Sequence, residues 1–263
     1  MKEKTVNIAF AFLISIVIFC RILSIFVVPD VFADEVEIIN HITSLIKNQT
    51  DAQGNKFPLF PKVGAGLATY TYLYPMAILC SFVKVSATNL RIIQQILTIL
   101  ACFLTSFSMQ ILYKNKSLSK ISLFVLLTLP WGFVQANRIW DPAFVPVYFS
   151  IYFFFFAILF SGKNLKGNEL SVKEKNIFSV ISFSFLVFLA IVYPPCRIVA
   201  VGMWIYSVLN LLKEKKIKTP QVILVVLFCT IFSLPLAIKL LDPAFNQRAM
   251  TLLVFPNGGG SII

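Results

Sequence analysis

Asp34 and Glu35 stand side by side in Phe32-Ala33-Asp34-Glu35, just past an apolar run that ends near residue 28. Two adjacent carboxylates at a membrane surface are costly unless solvated or paired. One can orient or deprotonate an acceptor hydroxyl while the other holds a cation or a partner loop. A polar cap that keeps the loop in water would need the same two residues, so both readings stand.

Three further clusters carry an arginine. Pro130-Trp131 is followed by Asn137-Arg138-Ile139-Trp140-Asp141-Pro142. There Arg138 suits a phosphate, and Asp141 either pairs with it or faces a substrate; a Trp/Arg interfacial anchor with an Asp-Pro helix start is the alternative. In Tyr193-Pro194-Pro195-Cys196-Arg197 paired prolines break a helix, which either lines a cavity or makes a tight connection. Asp242-Pro243-Ala244-Phe245-Asn246-Gln247-Arg248 offers Arg248 to an anionic headgroup, or only a juxtamembrane charge. His41 is the single histidine, and no spacing of His, Cys and carboxylates suggests a tight metal site. Asn48-Gln49-Thr50 is a glycosylation sequon by pattern. There is no Walker A motif and no GxGxxG, so a nucleotide site has no support.

The elements that must hold these residues are apolar. Hydrophobic residues make up 58% of the 263, and charged ones only 13%, about half the share of a soluble domain. The apolar residues fall in runs of about 18 to 24, long enough to cross a bilayer. A soluble enzyme, a nucleic-acid-binding domain and a disordered chain are excluded. The formal charge of +12 then reads as the cytoplasmic excess of Lys and Arg that orients spans, not as a nucleic-acid partner. The five cysteines read as buried structural thiols. The first run has no small-residue cleavage site behind it and is expected to be a retained anchor.

Hydropathy predicts spans over 5–28, 92–113, 121–136, 143–160, 178–193, 198–212 and 221–238. The stretch 64–83 is apolar too, but Thr69, Tyr70, Thr71, Tyr72, Tyr74 and Pro75 crowd its first half. Counting cations decides. If 64–83 stays out of the membrane and the N terminus is inside, 13 cations lie inside and nine outside; if it crosses, the split is 8 and 14. Only the first obeys the orientation rule. The expected fold is therefore all-α, a bundle of about seven transmembrane helices, with 64–83 a short amphipathic helix along the outer surface. Residues 29–91 become one long outer loop carrying juxtamembrane helices, and loops of that length tend to be functional. All thirteen inner cations are lysines, whereas Arg91, Arg138, Arg197 and Arg248 sit at the outer edge and Arg21 lies within the first span. Seven of the eleven acids are outer as well.

Taken in order, these pieces resemble the GT-C membrane glycosyltransferases, and most of all bacterial relatives of the dolichyl-phosphate-mannose protein mannosyltransferases and of the lipid A aminoarabinose transferase. The resemblance rests on Asp34-Glu35, on the loop from Asp51 to Phe60, on Tyr74-Pro75 leading to Arg91, on Pro130-Trp131 with Arg138, on Tyr193 before Arg197, and on Arg248. It implies transfer of a sugar from a polyprenyl-phosphate carrier to a lipid, glycan or protein acceptor at the outer face of a bacterial cytoplasmic membrane. It implies Asp34 as the catalytic residue, with Glu35 supporting it. Arg138, Arg197 and Arg248 become candidates for the carrier phosphate, with Lys62 and Lys84 weaker ones and Asp141 and Tyr193 beside the substrate. Some relatives use a divalent metal and others do not. Family members continue with more spans, so residues 1–263 correspond to the N-terminal core. The competing expectation is a non-catalytic membrane protein, a lipid-phosphate transporter or scaffold subunit, or an inactive fragment. A transporter should carry ionisable groups near mid-membrane, and only Arg21 lies well inside a span.

Overall fold

The apolar runs become helices close to where hydropathy places them. The computed structural model describes residues 2–28, 31–64 and 66–240. Its α-helices are α1 (Lys2–Val27), α2 (Ala33–Asn48), α3 (Tyr70–Cys80), α4 (Ala87–Tyr113), α5 (Lys116–Thr128), α6 (Pro130–Ala136), α7 (Val145–Ser161), α8 (Val172–Val192), α9 (Cys196–Lys213) and α10 (Thr219–Leu240). A two-stranded antiparallel hairpin, β1 (Lys62–Val63) and β2 (Gly66–Leu67), and a 3-10 turn, Asp141–Phe144, complete it. The chain is an all-α polytopic bundle. Six of its helices are long and apolar enough to cross a membrane, or seven if the bent pair α5 and α6 counts as one span.

That bent pair is the expected third span, and it is broken. Pro130 brings no N–H and disfavours a helical conformation at Leu129 before it. The axis turns by 53° between Thr128 and Pro130. The Thr128 hydroxyl donates back to the carbonyls of Phe124 and Val125, the second of which the ending helix leaves without an amide partner.

The stretch 64–83 is the second departure. It holds the end of the hairpin and then α3, whose eleven residues reach about 16 Å, half a hydrocarbon core. It is too short to cross, as expected. It is not, however, a helix laid on the surface with one polar side. Tyr72, Leu73 and Met76 are fully buried in the main core, and Ile78 and Leu79 are exposed on the other side. Its burial comes chiefly from α2, which packs along it, with α4, α8 and the 3-10 turn covering the rest.

The core runs between α4, α7 and α8, with α7 in the middle and α9 and α10 against α8. Connections between spans are short, so helix ends alternate. The thirteen lysines expected on one side all fall at one end of the bundle, where Lys120 reaches Asn7 and Gln221 reaches Asn176. The other end carries α2, the hairpin, α3, α6 and the 3-10 turn; it is the loop end, where the candidate residues lie.

Candidate functional site

The Asp34-Glu35 pair is split by the helix it begins. Successive residues on a helix point about 100° apart, so at the N terminus of α2 one carboxylate faces in and the other out. Glu35 is 3% exposed and fully engaged. Its Oε2 accepts from the Phe32 amide at 3.0 Å, closing a capping box, and from Arg91 Nη2 at 3.0 Å. Its Oε1 accepts from the Ile139 amide at 2.8 Å. Glu35 thus ties α2, α4 and the turn after α6 into one joint, with three of its roughly four acceptor sites occupied. Asp34 is exposed, and no hydrogen bond or ion pair of its side chain is found among the described residues. It lies against the hairpin turn: a Cβ placed on Gly64 would come 2.6 Å from Asp34 Oδ1. Gly64 has φ +53°, and its amide donates to Glu37 Oε2 at 2.6 Å. The backbone angle favours glycine there, and a larger residue would also push the Asp34 carboxylate aside.

Arg138 is held differently at its backbone and at its side chain. Its carbonyl accepts from Gln94 Nε2 at 2.7 Å, and the next amide belongs to Glu35. The preceding Asn137 accepts from Gln95 Nε2 at 2.8 Å and donates to Ser24 Oγ at 2.8 Å. Four side chains from α1, α2 and α4 therefore fix this turn. The guanidinium itself is half-buried, stacked 3.6 Å above the Phe32 ring. No carboxylate pairs with it among the described residues. It sits at the lip of a shallow recess of about 250 Å³ lined by Val28, Phe133, Val134 and Asn137, between the end of α1 and α6. Because Phe32 is the N-cap of α2, Arg138 and Asp34 flank the same helix start.

Asp141 does not pair with Arg138. Its Oδ2 accepts from the Thr69 amide at 2.9 Å, tying the start of α3 to the 3-10 turn. That places Asp141 and Glu35 near the buried Tyr72 phenol. Burial first, and then the charges of Asp141, Cys80 and Glu35, push its pKa well above the ordinary value of 10.0. Burial alone pushes the Cys80 thiol up to about 11. Lys62 is exposed on β1, two residues before Gly64, and Lys84 is exposed between α3 and α4. Tyr193 and Arg197 are half-buried at a tight α8–α9 connection, where the Cys196 amide donates to the Tyr193 carbonyl at 2.9 Å. Arg248 and Asp242 lie outside the described residues. Asp34, Glu35 and Arg138 thus share one corner, with Lys62 on the adjoining hairpin, while Lys84, Tyr193 and Arg197 form no hydrogen bond or ion pair with Asp34 or Arg138 among the described residues.

Loop residues that the sequence singled out have structural work. His41 is fully buried, its Nδ1 accepting from the Ala52 amide at 3.1 Å and its Nε2 bonding the Lys62 carbonyl at 2.9 Å. Those bonds place the proton on Nε2. Asp51 organises its own turn by accepting from the Gln53 and Asn55 amides at 2.9 and 2.8 Å. No group of three or more His, Cys, Asp or Glu side chains able to hold a metal ion occurs among the described residues. Asp34 and Glu37 are two carboxylates, one already bonded to Gly64, and so do not fit such a site.

Comparison with protein-family models, with curated proteins and with solved structures finds no match.

Proposed function

We propose that this protein is a membrane glycosyltransferase that moves a sugar from a polyprenyl-phosphate carrier to an acceptor hydroxyl. The observation that carries this reading is Arg138: an arginine with a locked backbone, a guanidinium that pairs with no carboxylate among the described residues and an apolar recess at its side, across a helix start from Asp34, whose side chain has no hydrogen bond or ion pair among those residues either. A carrier phosphate needs a planar cation at the bilayer edge, and its isoprenoid chain needs an apolar surface that continues into the membrane. Val28, Phe133 and Val134 offer one, and Trp131 lies exposed on the same helix as Phe133.

In the proposed step Asp34 accepts the proton of the acceptor hydroxyl while its oxygen bonds the anomeric carbon. The bond from that carbon to the carrier phosphate breaks, and the polyprenyl phosphate leaves with the electron pair. Arg138 stabilises the charge that grows on it. Glu35 takes no proton; it holds the joint. The lysine end is placed in the cytoplasm by the orientation rule, which puts Asp34 and Arg138 on the opposite face.

The test is transfer from synthetic polyprenyl-phosphate sugars by the reconstituted full chain. Asp34→Asn is expected to abolish transfer and leave carrier binding intact, and Arg138→Ala to weaken binding itself. Carrier binding by wild type with no transfer under any donor would instead identify a lipid-phosphate-binding subunit. Equal binding by wild type and Arg138→Ala would reduce Arg138 to an interfacial anchor.

A further inference from the structure

A fully buried arginine inside a membrane span needs a structural reason, and Arg21 has one at the break of the third span. Its side chain is 0% exposed. Nε donates to the Leu127 carbonyl at 2.8 Å, and Nη1 donates to Gln95 Oε1 at 3.1 Å and reaches the Gly132 carbonyl at 3.5 Å. The guanidinium lies 4.5 Å from the centre of the Phe133 ring. No carboxylate pairs with it among the described residues. Leu127 is free to accept because the helix stops: unbroken, its carbonyl would serve the amide of residue 131. Arg21 therefore binds the broken end of α5, the first turn of α6 and the side chain of Gln95 together.

The chain of bonds then runs on to the site. Gln95 Nε2 donates to Asn137, Asn137 donates to Ser24, and Ser24 Oγ donates to the Arg21 carbonyl at 2.6 Å. The ring closes on the residue where it began, and Arg138 is the next residue after Asn137. Phe133, stacked on Arg21, also lines the recess.

We infer that Arg21 is a positioning residue that holds α6 at its break and thereby sets Arg138 and the α6 wall of the recess for the carrier phosphate. The inference rests on the reading of Arg138 given above. Arg21 touches no substrate in it; the cation acts through backbone carbonyls and Gln95.

The experiment uses the full chain in nanodiscs, with Trp140→Phe and Trp204→Phe leaving Trp131 on α6 as the single reporter. The probe is a dansyl-tagged polyprenyl phosphate, followed by energy transfer from Trp131. Arg21→Met is expected to shift Trp131 emission without ligand and to raise the probe Kd about tenfold, the loss of one well-placed charge-assisted contact. Arg21→Lys, whose compact ammonium cannot span acceptors spread around a planar guanidinium, is expected to fall between. Gly132→Ala keeps Arg21 and guards against a misfolded Arg21→Met. Its Cβ would come 3.0 Å from Arg21 Nη2, with only the Leu126 carbonyl beyond at 3.9 Å, and alanine favours a helix over glycine. A purely structural Arg21 leaves probe binding untouched in Gly132→Ala, with thermal stability equal or higher. A positioning Arg21 shows weaker binding at that same stability. Unchanged Trp131 emission and unchanged Kd in both Arg21→Met and Gly132→Ala, with Arg138→Ala still abolishing binding, overturn the inference alone. If Arg138→Ala binds the probe like wild type, the carrier reading falls and this inference with it.

Discussion

Removing the Glu35 carboxylate tests the joint that holds the candidate site. Glu35 meets Arg91 at 3.0 Å with both side chains nearly inaccessible, at 4% and 6% exposure, and it also receives two backbone amides. Breaking a buried ion pair from one side costs about 3–5 kcal/mol, because the remaining charge stays buried. Here that charge is Arg91, whose Nε already lacks an acceptor among the described residues. The two orphaned amides would each cost about 1–3 kcal/mol in isolation, but neighbouring losses do not add. Glu35→Ala is therefore expected to lower stability by about 3–5 kcal/mol. Arg91→Met should cost less, about 2 kcal/mol, since Glu35 keeps its two amide donors. The double variant should be milder than the sum, with a coupling of about 2 kcal/mol. Reversible unfolding by steric trapping in bicelles, read by two probes to check for a single transition, measures all three. Glu35→Ala costing under about 1 kcal/mol, or single effects adding to within about 0.5 kcal/mol, would refute the reasoning.

Other outcomes follow from the same geometry. The Tyr72 phenol is held neutral above its ordinary pKa of 10.0, chiefly by burial. Its contribution is thus complete below pH 10 and lost as pH rises above that value; Tyr72→Phe should flatten the alkaline branch of an unfolding-against-pH curve. Gly64→Ala forces a side chain into φ +53° and against Asp34. It should cost about 1–2 kcal/mol, and should lower sugar transfer more than carrier binding, in assays of stability, transfer and probe Kd. In a cysteine-free background, Cys at Lys56 and Cys at Lys116 should react with an impermeant maleimide from opposite faces; labelling from one face would overturn the two-ended charge plan.

The spans were legible because each is long, apolar and bounded by charge. The fate of 64–83 was only half legible. Cation counting indicates that it does not cross, but its hydroxyl-bearing residues look like a water-facing side, and partners farther along the chain draw them inward: the Tyr72 hydroxyl bonds Gln94, and the Thr71 carbonyl accepts from Tyr148. At the site, sequence marks Asp34-Glu35 and Arg138 but cannot divide labour between two adjacent acids. That division depends on Arg91 and Ile139, 56 and 104 residues beyond Glu35. Gln94 and Gln95, which fix the Arg138 turn, carried a readable signal as adjacent amides in an apolar run. The span expected over 121–136 runs through Pro130 unbroken, and nothing near it in the chain tells that Arg21 would hold the broken end.

The bond from Arg21 to Leu127 spans 106 residues of chain. At about 5–20 residues per second, the ribosome needs about 5–20 s to supply the missing acceptor after Arg21 is made. For the first 74 of those residues, until Gln95 is made, α1 carries a lone cation, roughly 9 Å short of its helix end. Insertion of such a group costs about 2.5–3.5 kcal/mol at a helix centre and less toward the end, where Arg21 lies. The waiting helix is under pressure to stay shallow, with its cation in the headgroups, until α5 arrives and offers its open carbonyl. Seating of α1 is thereby coupled to synthesis of the third span, 106 residues later.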